Sequence, residues 1–382
     1  MTSNDTPEMV YADNAATTRL SQRAYESMLP FLRDNFGNPS QPYAFSRDAR
    51  RAIKTAREAV AQHINAEPEE IYFTSGGTES DNWAIKGFSL RDATTKVLAT
   101  SQIEHHAVLN SVESMGVIGH RIHLLPVDSG GTVDLSAAEK IDFGDNGLMS
   151  LMFANNEIGT MQPIKQACDF AHEQGAFFHT DAVQAVGHVP INVKDLGVDM
   201  LSASAHKFNG PRGIGFLYVK KGTPLSAYAS GGAQEMGLRA GTENTAAIVG
   251  LAAALEENCS QMNAAATKLY ELEKALVSHL TLKQLIFRRN GINQLPGLLS
   301  LSFYNASGEM LLHRLDLMKV YVSTGSACDG STTQISHVLK AIGLEEKYAL
   351  GTIRISLGPS STFSDVCKIA DSILKILPKQ TA

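Results

Sequence analysis

The sequence predicts an α/β fold, with a mostly parallel sheet flanked by helices and a smaller α+β unit after it. Three observations predict it. Short apolar runs alternate with longer amphipathic stretches through the first two-thirds of the chain. Several of those runs are apolar on both faces, as strands of a covered parallel sheet are. After about Cys259 the rhythm changes. A chain of 382 residues is too long for one ordinary core and fits a large domain with a smaller partner.

The strands expected in the first part are 71–74, 96–100, 121–127, 148–154, 176–180, 200–203 and 213–219. Helical patterns lie between them, for example 46–64 and 163–174. A long helical pattern over 262–280 then leads into a strand at 299–303, a helix near 309–315 and a strand at 320–323. A helix near 336–342, a strand at 352–356 and a helix over 364–377 close the chain. The expected division is a large domain over 16–259 and a small domain from 1–15 and 260–382, with the long helix as hinge.

Hydrophobic residues make up 43% and charged residues 19%, which excludes a disordered or collagen-like chain. The formal net charge of −6, from 33 basic and 39 acidic residues, leaves no basic field for direct nucleic-acid binding. The N-terminus lacks the layout of a signal peptide, and no apolar run approaches the ~18 residues of a membrane span. The expectation is a cytoplasmic protein without membrane contact. The four cysteines, Cys168, Cys259, Cys328 and Cys367, are widely spaced and form no CxxC, so neither a zinc site nor a disulfide framework is indicated.

Ligands of open α/β sheets sit at the carboxyl ends of the strands. After 71–74 comes Ser75-Gly76-Gly77-Thr78-Glu79-Ser80, a turn opening a helix. Backbone N–H groups there suit an anion, although a plain turn capped by Thr78 reads the same. It is neither GxGxxG nor a Walker A loop. After 96–100 comes Glu104-His105-His106, whose adjacent histidines point apart and lack further ligands at metal spacing. Asp181 ends a buried apolar strand, where a carboxylate is costly unless a cation meets it or it caps a helix. Lys207 follows 200–203; such a lysine is either a solvated loop residue or a desolvated amine able to form a Schiff base.

In combination these residues are more specific. Pyridoxal 5′-phosphate (PLP) needs a phosphate cup, an acid for its ring nitrogen and a lysine for its aldehyde. Those three appear at successive strand ends, and the 26 positions from Asp181 to Lys207 (207 − 181) leave room for one helix and one strand.

Nine strings carry a resemblance along nearly the whole chain. They are Tyr11-Ala12-Asp13-Asn14-Ala15-Ala16-Thr17-Thr18, Gly37-Asn38-Pro39-Ser40, Phe73-Thr74-Ser75-Gly76-Gly77-Thr78-Glu79-Ser80, Glu104-His105-His106-Ala107-Val108 and Asn155-Asn156-Glu157-Ile158-Gly159. His179-Thr180-Asp181-Ala182-Val183-Gln184, Ser204-Ala205-His206-Lys207, Arg239-Ala240-Gly241-Thr242 and Gly325-Ser326-Ala327-Cys328 complete the set. Taken in order they resemble the NifS/IscS-type cysteine desulfurases, PLP-dependent transferases of fold-type I.

The resemblance implies roles by position. Lys207 would hold PLP, Asp181 would keep its ring nitrogen protonated, and His105 would stack on the ring and shuttle protons. Gln184 would donate to the phenolic oxygen, with Asn156 near that oxygen and the substrate. Gly77, Thr78, Ser204 and His206 would form the phosphate cup, joined by Thr242 from the other subunit of a homodimer. Arg354 would clamp the substrate carboxylate, since a guanidinium fork matches it, and Asn14 would also bind substrate.

Cys328 would decide the reaction. Lys207, freed by the incoming cysteine amine, would remove the Cα proton; the Cys328 thiolate would attack the substrate sulfur, form a persulfide and leave alanine. A free thiol has a pKa of about 8.5, so its surroundings must raise the thiolate fraction or the step is slow. The stretch around Cys328 is rich in Gly and Ser and reads as a mobile loop, with seven residues between Cys328 and Ser336. That resembles the long-loop group, which delivers persulfide to a separate sulfur-acceptor protein. Cys168, Cys259 and Cys367 fall in helical patterns and read as buried apolar residues.

Two features depart from the family. Met236 stands in Gly231-Gly232-Ala233-Gln234-Glu235-Met236-Gly237 where members often have arginine, and an electrostatic contact is expected to be lost there. The chain ends at Ala382, soon after its last helical pattern, where scaffold-binding members carry a longer tail; this counts against the usual scaffold docking. A PLP aminotransferase or lyase would explain Lys207, Asp181 and Arg354 but leave Cys328 unused. A non-catalytic binding or scaffold protein would need neither Lys207 nor Cys328. Iron–sulfur cluster assembly, tRNA thiolation and DNA phosphorothioation all remain open as destinations for the sulfur.

Overall fold

The computed structural model describes residues 9–144, 147–324 and 335–377. The chain starts with a two-residue strand β1 (Val10–Tyr11) and two helices, α1 (Gln22–Arg33) and α2 (Arg47–Ile64). Strands and helices then alternate: β2 (Ile71–Thr74), α3 (Gly77–Asn82), β3 (Val97–Ser101), α4 (His106–Val117), β4 (Arg121–Leu125) and β5 (Leu148–Met152). They continue with α5 (Ile164–Glu173), β6 (Phe177–Asp181), α6 (Val193–Leu196), β7 (Met200–Ser204) and β8 (Gly215–Val219). All seven strands expected from the periodicity of the first part are present, some a few residues shorter than expected.

These strands form one seven-stranded sheet in the order β2-β8-β7-β6-β5-β3-β4. Only β8 runs against its neighbours β2 and β7; the other pairs are parallel. Each of β2, β3, β5, β7 and β8 is buried at every position. That is why they read as continuous apolar runs: both faces are covered. One face packs on an apolar cluster with α2, α5 and α7 residues, including Val60, Ile64, Cys168 and Leu251. The other packs on Trp83, Phe88, Val108 and Val112.

Helix α7 (Thr245–Leu282) runs unbroken for 38 residues. Its start lies well before the helical pattern at 262–280. The first turns, Ala246–Leu255, are apolar and buried on most sides, so they show no polar face to set a 3.6-residue period. Asn244 caps this helix by accepting the Ala247 N–H at 3.2 Å. Ala247, Ile248, Leu251 and Leu255 enter the large apolar cluster, whereas Leu269, Leu272, Leu276 and Leu280 enter a second one.

The chain continues with β9 (Phe287–Asn290), β10 (Leu298–Phe303), α8 (Gly308–Leu317), β11 (Val320–Tyr321), α9 (His337–Ala341), α10 (Glu346–Ala349), β12 (Thr352–Ser356) and α11 (Phe363–Ile376), and all of these but α9 and α10 supply residues to that second cluster. β12, β10 and β9 form an antiparallel sheet, while β1 pairs in parallel with β11. The N-terminal strand is thus bound to the C-terminal part of the chain. A smaller apolar contact joins Val338, Leu339 and Ile342 to Ile103, Met152 and Ile158.

Candidate active site

Residues at the carboxyl ends of β2, β3, β5, β6 and β7 meet along one edge of the sheet. Register sets the spacing there: Asp181 lies opposite Met152 of β5 on one side and Ser202 of β7 on the other. Asp181 is buried, and its Oδ1 accepts the Val183 N–H at 2.9 Å. Burial pushes its carboxyl up, while the charges of His105 and Lys207 act in the opposite direction.

Lys207 follows β7 in a short 3₁₀ turn, Ala205–Lys207. Its Nζ donates to the carbonyls of Ala15 at 2.7 Å and Ala16 at 2.8 Å. Gln184 Nε2 donates to the same Ala15 carbonyl at 2.9 Å. The segment after β1 therefore brings two expected site residues, 23 positions apart (207 − 184), to one point. His105 is the N-cap of α4, and its Nδ1 accepts the Ala107 N–H at 3.1 Å. With Nδ1 used as acceptor, the neutral ring carries its proton on Nε2. Burial pushes the His105 pKa down although the Asp181 charge opposes this.

A cleft of about 390 Å³ at this edge is lined by Thr17, Ser75, Gly77, Thr78, Ser204 and His206, with Gly76, Glu79, Arg212 and Gly213. Gly77 is required by space: a Cβ there would come within 2.6 Å of Val183 Cγ2. Helix α3 continues into a π-helical turn over Trp83–Gly87, anchored by Trp83 Nε1 on the Ser226 carbonyl at 2.9 Å. His206 Nδ1 lies 3.1 Å from Thr17 Oγ1. Burial, then the charges of Lys207 and Arg212, push the His206 pKa down to about 4.

Arg354, on β12, is buried. Its Nη1 donates to the Asn156 carbonyl and its Nη2 to Asp13 Oδ1, both at 2.8 Å, and its buried Nε has no hydrogen-bond partner. Asn14 Nδ2 donates to the Ser356 carbonyl at 2.8 Å. A Cβ at Gly358 would lie 2.8 Å from Asn14 Oδ1, so that position too needs glycine. Asn156 is set by its neighbour: Asn155 Oδ1 accepts the N–H groups of Glu157 at 2.8 Å and Ile158 at 2.9 Å. Asn14, Asn156 and Arg354 thus converge from three distant stretches.

Thr242 is exposed and does not line its own chain's cleft. Met236 is also exposed, in a left-handed conformation with φ 57°. Its neighbour Glu235 is buried and takes a bidentate pair from Arg57, both bonds 2.8 Å. Cys328 lies outside the described residues. Of the other cysteines, Cys168 is buried, with its thiol pushed up to about 12, and the Cys259 thiol is pushed up to about 11, both by burial. Neither is poised as a thiolate. Cys367 lies within α11.

Several residues beneath the site had no role in the sequence reading. His179 is buried between Ser150 Oγ at 2.8 Å and Ser202 Oγ at 2.9 Å, and burial lowers its pKa to about 3. Asp81 and Glu104 are also buried, and burial raises both, Glu104 to about 8. Three carboxyls therefore lie near each other, and the charge of Asp181 adds to the upward push on the other two. Arg212, five positions after Lys207 in a Gly-Pro turn, is a basic residue whose placement could have been noticed.

The donor set fits PLP: a hydroxyl-lined cleft that glycine keeps open, a buried carboxylate and a lysine amine at one sheet edge. Comparison with known proteins agrees. The aminotransferase class-V family matches residues 10–369. A cysteine desulfurase IscS of Dictyoglomus turgidum is 46% identical over 373 residues, which span 97% of this chain and 95% of that one. A solved NifS-like protein superposes with a TM-score of 0.91 at 37% identity, covering 97% of this chain and 99% of the other. SspA in complex with cysteine superposes with a TM-score of 0.81 at 36% identity, covering 92% and 100% of the two chains.

Proposed function

The chain belongs to the aminotransferase class-V family and is a PLP-dependent cysteine desulfurase; from that premise we propose how its own residues divide the work. Lys207 would hold the cofactor, and its amine would move the proton at the substrate Cα. Asp181 holds the proton on the ring nitrogen, His105 covers the ring, and Gln184 and Asn156 serve the phenolic oxygen. Gly77, Thr78, Ser204 and His206 hold the phosphate. When bound, PLP supplies an aldehyde that takes up an amine and a protonated ring that withdraws electrons.

Asn14 and Arg354 orient the substrate carboxylate. The orphaned Arg354 Nε supports this, because a buried donor without a partner is costly and a carboxylate would satisfy it. Cys328 supplies the thiolate. The C–S bond of cysteine breaks and an S–S bond forms, so cysteine and the Cys328 thiol become alanine and a Cys328 persulfide. The Cα proton returns to Cα, the Cys328 proton supplies the new Cβ–H bond, and the persulfide keeps the thiol proton of the substrate. The observation that carries the reading is the convergence of Asp181, His105 and Lys207 beside the hydroxyl-lined cleft.

The finer assignments are part of the same proposal. The chain divides into a large domain, 16–259, and a small one, 1–15 with 260–382, a division supported by the two apolar clusters that share α7. It works as a homodimer in which Thr242 completes the partner's phosphate cup. Its persulfide passes to a sulfur-acceptor protein. Among the described residues, no helix is long and apolar enough to cross a membrane. A cytoplasmic site fits a chemistry that needs Cys328 reduced.

The test is to measure alanine and sulfide from cysteine under reductant. Wild-type protein should release both in equal amounts and Cys328→Ala should release no sulfide. Persulfide on Cys168, Cys259 or Cys367, with none on Cys328, would show that a different thiol acts.

A further inference from the structure

The phosphate cleft contains a residue of the wrong sign. Glu79 lines it together with Ser75, Gly77, Thr78, Ser204 and His206. Its side chain is only 9% exposed. Burial pushes its carboxyl up, but hydrogen bonds from Arg239 and Ser75 outweigh this and hold it below the usual carboxylate range. Glu79 is therefore an anion in a site that must take a phosphate dianion, and like charges at close range repel.

Arg239 answers that charge. Its Nε donates to Glu79 Oε1 at 2.8 Å and its Nη2 to Oε2 at 3.3 Å. Glu79 Oε2 also accepts the Ser75 N–H at 2.9 Å, which fixes the turn at the mouth of the cleft. The loop bearing Arg239 is itself anchored. Arg57 and the Phe73 N–H, the latter at 2.9 Å, both bind buried Glu235, which keeps the left-handed pair Glu235 (φ 45°) and Met236 (φ 57°) in place. Gly241 N–H donates to Gln234 Oε1 at 3.2 Å and ties the far side of the loop. Arg239 is thus delivered to Glu79 by a built structure.

We infer that Arg239 is a positioning residue for the cofactor phosphate: paired with Glu79, it cancels the negative charge that Glu79 brings to the cleft and holds the Ser75–Glu79 turn in its binding shape. This rests on the PLP reading above. Arg239 acts through Glu79, and its removal should matter only for ligands that carry the phosphate.

The experiment titrates apoprotein with PLP and, separately, with pyridoxal, which lacks the phosphate, following absorbance of the lysine-bound cofactor. Arg239→Gln should weaken PLP binding by about tenfold. The double variant Glu79→Gln with Arg239→Gln should recover most of that loss, because the unpaired anion is gone. Arg239→Lys, which keeps the charge, should stay close to wild type. Pyridoxal should bind all four proteins alike. Thermal melts of the apoproteins check that each is folded. The inference is overturned if Arg239→Gln binds PLP as wild type does, if the double variant is no better than Arg239→Gln, or if pyridoxal shows the same loss. Wild-type protein that takes up neither compound would overturn the cofactor reading itself, and this inference with it.

Discussion

Replacing Glu104 by Gln should make the stability of the apoprotein less dependent on pH. Glu104 is buried, Ser101 Oγ donates to its Oε1 at 2.6 Å, and its Oε2 has no hydrogen-bond partner. Burial, with the Asp181 charge adding to it, raises its carboxyl from 4.5 to about 8. Between those values the folded chain keeps a proton that the unfolded chain has lost. The contribution to stability is fully present below about 4.5 and is lost as pH rises toward 8. Each pH unit is worth about 1.4 kcal/mol, so about 3 kcal/mol is gone at pH 7 and roughly 5 above pH 8. Gln keeps the volume and the bond from Ser101 but does not titrate. The Tm of variant minus wild type should therefore widen by about 5 °C from pH 5 to pH 8, with Asp81 and the histidines common to both proteins. A gap that stays constant across that range would mean that Glu104 ionises in the folded protein at no cost, and would refute the reasoning.

Three further outcomes are expected. Purified protein should be yellow, and borohydride should fix PLP to Lys207; a Lys207→Ala protein with full turnover and an unchanged spectrum would remove that assignment. Arg354→Ala loses a charge-assisted pair worth roughly 1.5–3 kcal/mol, so kcat/KM should fall by about ten- to a hundredfold with PLP content nearly unchanged; loss of PLP with unchanged kinetics in the remaining holoenzyme would assign Arg354 to structure. Mixing Lys207→Ala with Thr242→Ala chains should restore activity above either alone, because one site of the mixed dimer then carries neither defect. No restoration, with subunit exchange confirmed, would place Thr242 in its own chain's site.

The strands and their chemical termini were legible because most of the buried strands are largely apolar and lead into a polar string, as Phe178 leads to Asp181 and Leu201 to Ser204. Local order along the chain was enough to collect Gly77, Asp181 and Lys207 at one sheet edge. What joins those termini from below was not legible. His179 and Ser202 lie on strands, and their pairing depends on the register of β6 against β7. Asp81 and Glu104 sat inside recognised strings, yet their burial depends on neighbours distant in sequence. The link between Arg239 and Glu79 spans 160 positions (239 − 79), and no periodicity encodes it. The first half of α7 was missed for the opposite reason: a helix buried on most sides has no amphipathic pattern.

The unbroken course of α7 also makes it a gauge of length and phase. The helix is about 57 Å long at 1.5 Å per residue, and each apolar cluster grips one end, around Leu251 and around Leu276. Between these grips the chain from 256 to 268 has no buried residue, and about half of it is exposed. One residue inserted there would turn everything beyond it by about 100° and advance it by about 1.5 Å. The sheet that bears Arg354, together with Asp13 beside it, would rotate away from Asn156, although no residue of the site had changed. Point substitutions at the exposed positions of this stretch, such as Ser260, Asn263 and Ala264, should be well tolerated, while insertions or deletions of any size that is not a near-whole number of turns should not. In this protein the spacing of the two halves of the site is counted in helical residues.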